Sequence, residues 1–102
     1  MSIDEAERPT EWLRRLEEDG DLWRRLLADA GSFTRAAWRL AHARCRAQAL
    51  PSRVPTDREL RAAATDLAGR TGERSPAPVA LADECRIAGL PVLAPPVSPR
   101  AA

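Results

Sequence analysis

Apolar residues recur at helical spacing through the first two thirds of the chain. In TEWLRRLEEDGDLWRRLLADAG, the residues Trp12, Leu16, Trp23, Leu27 and Ala30 fall on one stripe. Leu13 and Leu26 flank it, and Glu17, Glu18 and Asp21 sit away from it. Thr10 stands where an N-cap is expected and Gly31 where the helix must stop. Gly20 interrupts without breaking the phase. Either one helix tolerates it, or Asp19 caps a second helix in nearly the same direction.

A second stripe begins after Ser32, a further N-cap. Phe33, Ala36, Ala37, Leu40 and Ala47 share one face of this helix. Arg35, Arg39, His42 and Arg46 share the opposite one, and Trp38 and Cys45 lie on a flank. Pro51 excludes the helix beyond Leu50. The third stripe carries the clearest local signal. Thr56 and Glu59 form a T-x-x-E capping box ahead of Leu60, Ala63, Ala64 and Leu67, and Gly69 follows as the expected stop.

From Arg70 onward the pattern fades and proline becomes frequent. A short helix is expected over 79–88, followed by Gly89, and an extended segment LPVLAPPVSPRAA after that. The pattern therefore predicts an all-α fold. Residues 1–9 form a disordered N-terminus, 10–69 a small three-helix domain, and 70–102 a largely irregular, Pro-rich C-terminal arm.

Composition tempers this picture. Hydrophobic residues make up 44% of the 102, but alanine supplies 20 of them, so large core anchors are few. Leu16, Trp23, Leu27 and Leu60 are the expected anchors of a domain of marginal size. The formal net charge of +1 makes no overall case for nucleic acid or a membrane. Its distribution is uneven: residues 1–30 hold nine acids and five arginines, whereas residues 31–53 hold five arginines and no acid. Glu17, Glu18 and Asp21 could therefore face the arginines of the second helix, or those arginines could meet a partner. Every basic residue is arginine, whose planar fork suits bidentate contact with carboxylate or phosphate.

Chemistry-bearing residues are sparse. One histidine and two distant cysteines do not supply a zinc site, and no Gly-rich phosphate loop is present, so no cofactor or metal is expected. His42 and Cys45 are one helical turn apart and could interact, but no third group or oxyanion hole accompanies them, and no enzymatic activity is expected. The N-terminus lacks the apolar run of a signal peptide, and no stretch is long enough to span a membrane. The expectation is a cytoplasmic protein with reduced thiols. Leu90, Val92 and Leu93 in the apolar arm could dock into a partner's groove or add to its sheet edge.

Three short segments resemble the Nif-eleven-type leader peptides, which head the precursors of ribosomally made, post-translationally modified peptides. They are LRRLEEDGDLWRRLLADAG, SFTRAAWRLA and TDRELRAAA. Leu13, Leu16, Asp19, Leu22 and Leu26 match the first motif. Ser32, Phe33 and Leu40 match the second, and Thr56, Glu59 and Leu60 the third, so that the resemblance covers about residues 11–69. The chain departs from the family in two places: HARCRAQALPSRVP is longer than the family's link, and the double-glycine cleavage signal is missing, with Ala68-Gly69 and Ala88-Gly89 as near substitutes.

The resemblance implies a non-catalytic docking or carrier protein, a leader-like precursor or adaptor recognised by a modifying enzyme of peptide natural-product biosynthesis. The candidate partner-binding residues are Arg35, Arg39, His42, Arg46, Leu90, Val92 and Leu93. The candidate modification sites are Cys85 and Ala102. A second expectation rests on the arginine-rich helix alone: a small regulatory protein that binds nucleic acid through Arg35, Arg39 and Arg46.

Overall fold

The structure is a computed structural model that describes residues 8–48, 54–75 and 78–93. It is all-α. Five helices are present among the described residues: α1 (Pro9–Glu18), α2 (Asp21–Ala30), α3 (Phe33–Ala47), α4 (Asp57–Thr71) and α5 (Pro78–Ile87). The sequence pattern predicts a three-helix domain, with the first stripe open to division at Gly20, and a short helix over 79–88 within an arm.

The first stripe is two helices, not one. The Asp19 backbone is extended, and its carboxylate accepts from the Asp21 N–H at 3.0 Å, so the residue ends α1 and orders the start of α2. Trp23 then joins the two, because its buried indole N–H donates to the Leu16 carbonyl at 2.8 Å. That carbonyl is one of the last four of α1, which have no partner within the helix. At the other end of α1, Arg8 rather than Thr10 occupies the cap position, and Pro9 opens the first turn with no side-chain cap. Proline suits that position, since its missing N–H would have no helical acceptor.

α3 is the hub, packing against each of the other four helices. Its inward residues are mostly small. Ala36, Ala37 and Ala41 are buried along with Leu40 and Cys45, and Ala63 and Ala64 of α4 are buried with Leu60 and Leu67. An alanine-lined seam lets two helix backbones approach closely, which is how a chain so rich in alanine builds a core. Ser32 caps α3 through its hydroxyl, which accepts from the Arg35 N–H at 3.2 Å. The capping box at Thr56 and Glu59 forms as the spacing predicts. Leu16, Trp23 and Leu60 are buried anchors, and Leu27 packs at the edge of the same core.

The C-terminal region differs most from expectation. Gly69 lies inside α4, which continues to Thr71, and it is Gly72, at φ +79°, that turns the chain out of the helix. α5 then contributes Leu81, Ala82 and Cys85 to the core, so residues 78–93 belong to the folded domain and are not an irregular arm. The Thr34 hydroxyl at the start of α3 donates to Glu84 at 2.6 Å and ties the two helices together. After α5, the Leu90 N–H donates to the Cys85 carbonyl and the Gly89 N–H to that of Arg86. With Gly89 at φ +81°, this is a Schellman motif. It turns the chain back, so that Leu90 and Val92 pack against the core. Among the described residues no helix is long and apolar enough to cross a membrane. Of the N-terminus expected to be disordered over 1–9, Pro9 is already helical and residues 1–7 lie outside the described residues, as does the extended run beyond Leu93 with Ala102.

Candidate docking surface

α3 carries the predicted arginine stripe on its outer face. Arg35, Arg39 and Arg46 are exposed, and no carboxylate lies within ion-pair distance of them among the described residues. The acidic first helix does not neutralise them. Glu17 instead meets Arg70 of α4 at 3.3 Å, and the Arg70 guanidinium lies 5.2 Å above the Trp23 ring. Among the described residues, Arg44 is the one α3 arginine with an ion pair, to Asp66 of α4 at 2.6 Å.

His42 adds no charge to the stripe at neutral pH. Burial, and then the neighbouring Arg46 guanidinium, hold its pKa below the ordinary imidazole value. Its ring stacks on Trp38, with centroids 4.6 Å apart and planes at 19°. The stripe is therefore three guanidiniums long, with an aromatic pair set into it.

Trp38 links the stripe to the C-terminal segment. Its indole N–H donates to the Pro91 carbonyl at 2.8 Å. Two residues on, the Leu93 N–H donates to the Pro55 carbonyl at 2.9 Å, and Leu93 forms an isolated parallel bridge with Thr56. Leu90 and Val92 are half-buried and pack against the core, the Leu93 N–H is used internally, and the Leu93 side chain is 43% exposed. Cys85 is fully buried, with its thiol pKa raised by burial and by Glu84 against the lowering effect of Arg86. It is core material and not an accessible modification site.

The His42–Cys45 pairing that the one-turn spacing allows is not what the Cys45 thiol makes. Cys45 is buried and its thiol donates to Glu59 Oε2 at 3.0 Å. Burial, and then that carboxylate, push the thiol pKa up to about 12, which is the opposite of an activated nucleophile. Among the described residues no three His, Cys, Asp or Glu side chains are placed to hold a metal ion.

Beside the stripe lies a feature the sequence reading missed. A cleft of about 300 Å³ opens at the junction of α1, α2 and α3. Trp12, Leu22 and Leu26 form its apolar part. Arg15, Arg25 and Arg39 bring three guanidiniums, and Asp29 is the one carboxylate among the described residues of the lining. The signal was present in the spacing: Leu22, Arg25, Leu26 and Asp29 stand at i, i+3, i+4 and i+7, and Trp12 and Arg15 at i, i+3. Only the packing of α3 shows that Arg39 completes the set.

No protein-family model, curated protein or solved structure matches this chain. The surface itself is what bears on function.

Proposed function

We propose that this chain is a non-catalytic docking protein, a leader-like carrier or adaptor recognised by a peptide-modifying enzyme. One observation carries the reading: Arg35, Arg39 and Arg46 stand on the outer face of the helix against which all the other described helices pack, with no ion-pair partner among the described residues. A charged stripe on the most supported helix is a preorganised contact surface, so little ordering is needed when a partner binds. The anchoring of residues 91 and 93 adds to it. Pro91 and Leu93 are held beside the Trp38 flank of the stripe, so the chain is fixed close to the arginines as far as residue 93. With Cys85 in the core, added chemistry would fall beyond Leu93, Ala102 included. The motif resemblance over residues 11–69 points the same way.

Co-expression with a peptide-modifying enzyme encoded by a neighbouring gene tests this. The expected result is a stable complex that the combined Arg35→Glu, Arg39→Glu and Arg46→Glu variant loses. A mass change confined to the segment after Leu93 would identify a carrier, and a complex without mass change an adaptor. Neither complex nor mass change with any such enzyme would sink the reading.

The same stripe supports a second reading, nucleic-acid binding. With three arginines and a neutral His42, duplex affinity should fall with a log–log salt slope of roughly −2.7. No binding of DNA or RNA at low salt removes that option.

A further inference from the structure

We propose that the cleft between α1, α2 and α3 binds a short acidic peptide of a protein partner, one with a large apolar side chain set between acidic residues. The proposal rests on the docking reading only in taking the partner to be a protein.

Two properties of the cleft select that ligand. Its floor is apolar: Leu26 is buried, and Trp12 and Leu22 are half-buried and pack against the core. Its rim is cationic. Arg25 and Arg39 are both exposed, with no ion-pair partner among the described residues, and Arg15, which makes an interaction of its own, lines the cleft beside them. Among the described residues Asp29 is the one carboxylate in the lining. A volume of about 300 Å³ accepts one or two aliphatic or aromatic side chains and is at the small end for ligand sites. Guanidinium forks on either side of such a slot fit carboxylates, which they bind through paired hydrogen bonds.

Nucleic acid fits less well. Phosphates would satisfy the rim but leave Trp12, Leu22 and Leu26 without an apolar partner. An acidic segment with one Leu or Phe satisfies both parts, in the manner of an amphipathic segment laid into a groove. Arg39 belongs both to the cleft and to the stripe, so the two form one continuous surface.

The test titrates the full chain into a fluorescein-labelled peptide, Glu-Asp-Glu-Leu-Asp-Glu-Asp, at low salt and follows anisotropy. Saturable binding is expected, with a shift of the Trp12 indole resonance in ¹⁵N spectra and none of the buried Trp23 indole. Arg25→Glu, an exposed substitution whose fold is checked by circular dichroism, should weaken binding by about tenfold or more. Replacing the peptide's Leu with Ser should also cost about tenfold. Arg46→Glu, outside the cleft, should change affinity less than about twofold.

Four results would each overturn the proposal. These are no saturation by about 1 mM peptide, equal losses for Arg25→Glu and Arg46→Glu, indifference to the Leu-to-Ser change, and tighter binding of a short duplex with the same Arg25 dependence. Enzyme capture that survives when the peptide fails to bind removes the cleft proposal alone. Peptide binding without enzyme capture leaves the cleft standing and removes the modifying enzyme as partner.

Discussion

Glu59 accepts three hydrogen bonds, from the Thr56 N–H, the Thr56 hydroxyl and the Cys45 thiol, at 2.9 to 3.0 Å. The Cys45 bond and then the Thr56 N–H hold its carboxyl below the ordinary carboxylate range. A depressed carboxyl stabilises the fold above the pKa of its unfolded form, and that contribution is lost as pH falls through the folded value. Glu59→Gln keeps a capping-box side chain but loses the charge-assisted bonds. It should cost about 1 kcal/mol at neutral pH and make the acid limb of the stability curve shallower, as urea titrations will show. Cys45 works in the opposite direction. Its thiol pKa is raised to about 12, so its contribution is full below the unfolded value and declines as pH rises from the ordinary 9.0. Melting temperatures should fall above that pH, and less so for Cys45→Ala. Both thiols should react with iodoacetamide only as fast as the protein opens, whereas denatured chain reacts at once.

At the scale of single helices, two glycines three residues apart at the end of α4 have opposite roles, Gly69 within the helix and Gly72 just beyond it. Gly69 is helical, and a methyl group added there meets nothing within 4 Å. Gly72 has the same open surroundings but sits at φ +79°. Gly69→Ala should therefore stabilise by about 1 kcal/mol, and Gly72→Ala should destabilise by about the same amount, in thermal or urea unfolding. The choice between the two as the end of α4 was not legible in sequence, because both satisfy the rule that glycine follows a helix. The Asp19-Gly20 break was left open for a similar reason, since the apolar phase continues across it. The capping box, by contrast, is a complete four-residue signal, and its register fixes Leu60, Ala63, Ala64 and Leu67 on the inner face.

For the molecule as a whole, the decisive departure from the sequence reading is α5. A proline-rich segment with a modest apolar pattern looks like an appendage until Leu81, Ala82 and Cys85 are seen in the core. Leu81→Ala should cost about 2–5 kcal/mol. That is a large part of the ~5–15 kcal/mol that holds a domain of this size. Chemical denaturation should show it as a lower midpoint with cooperativity retained; a change of under about 0.5 kcal/mol would mean that α5 is not part of the folded unit. The contacts that make α5 integral pair distant residues, Thr34 with Glu84 and Trp38 with Pro91. Periodicity carries no information about such pairs. The candidate surface divides the same way. The arginine stripe is a property of one helix and was readable. The cleft needs three helices in their places, and so does the finding that Glu17 meets Arg70 rather than the stripe.

The clasp of Trp38 on Pro91 and of Pro55 on Leu93 also sets a radius. Covalent geometry alone keeps Ala102 within about 32 Å of Leu93. One copy of a segment confined to that sphere has a local concentration on the order of 10 mM. Were a partner enzyme to grip the outer face of α3, as proposed, it would meet the following nine residues as if they were a concentrated reagent. Even feeble intrinsic affinity for that segment would then come close to saturation. On that proposal Trp38→Phe, which removes the indole donor, should slow modification of the segment while capture through the arginines is unchanged.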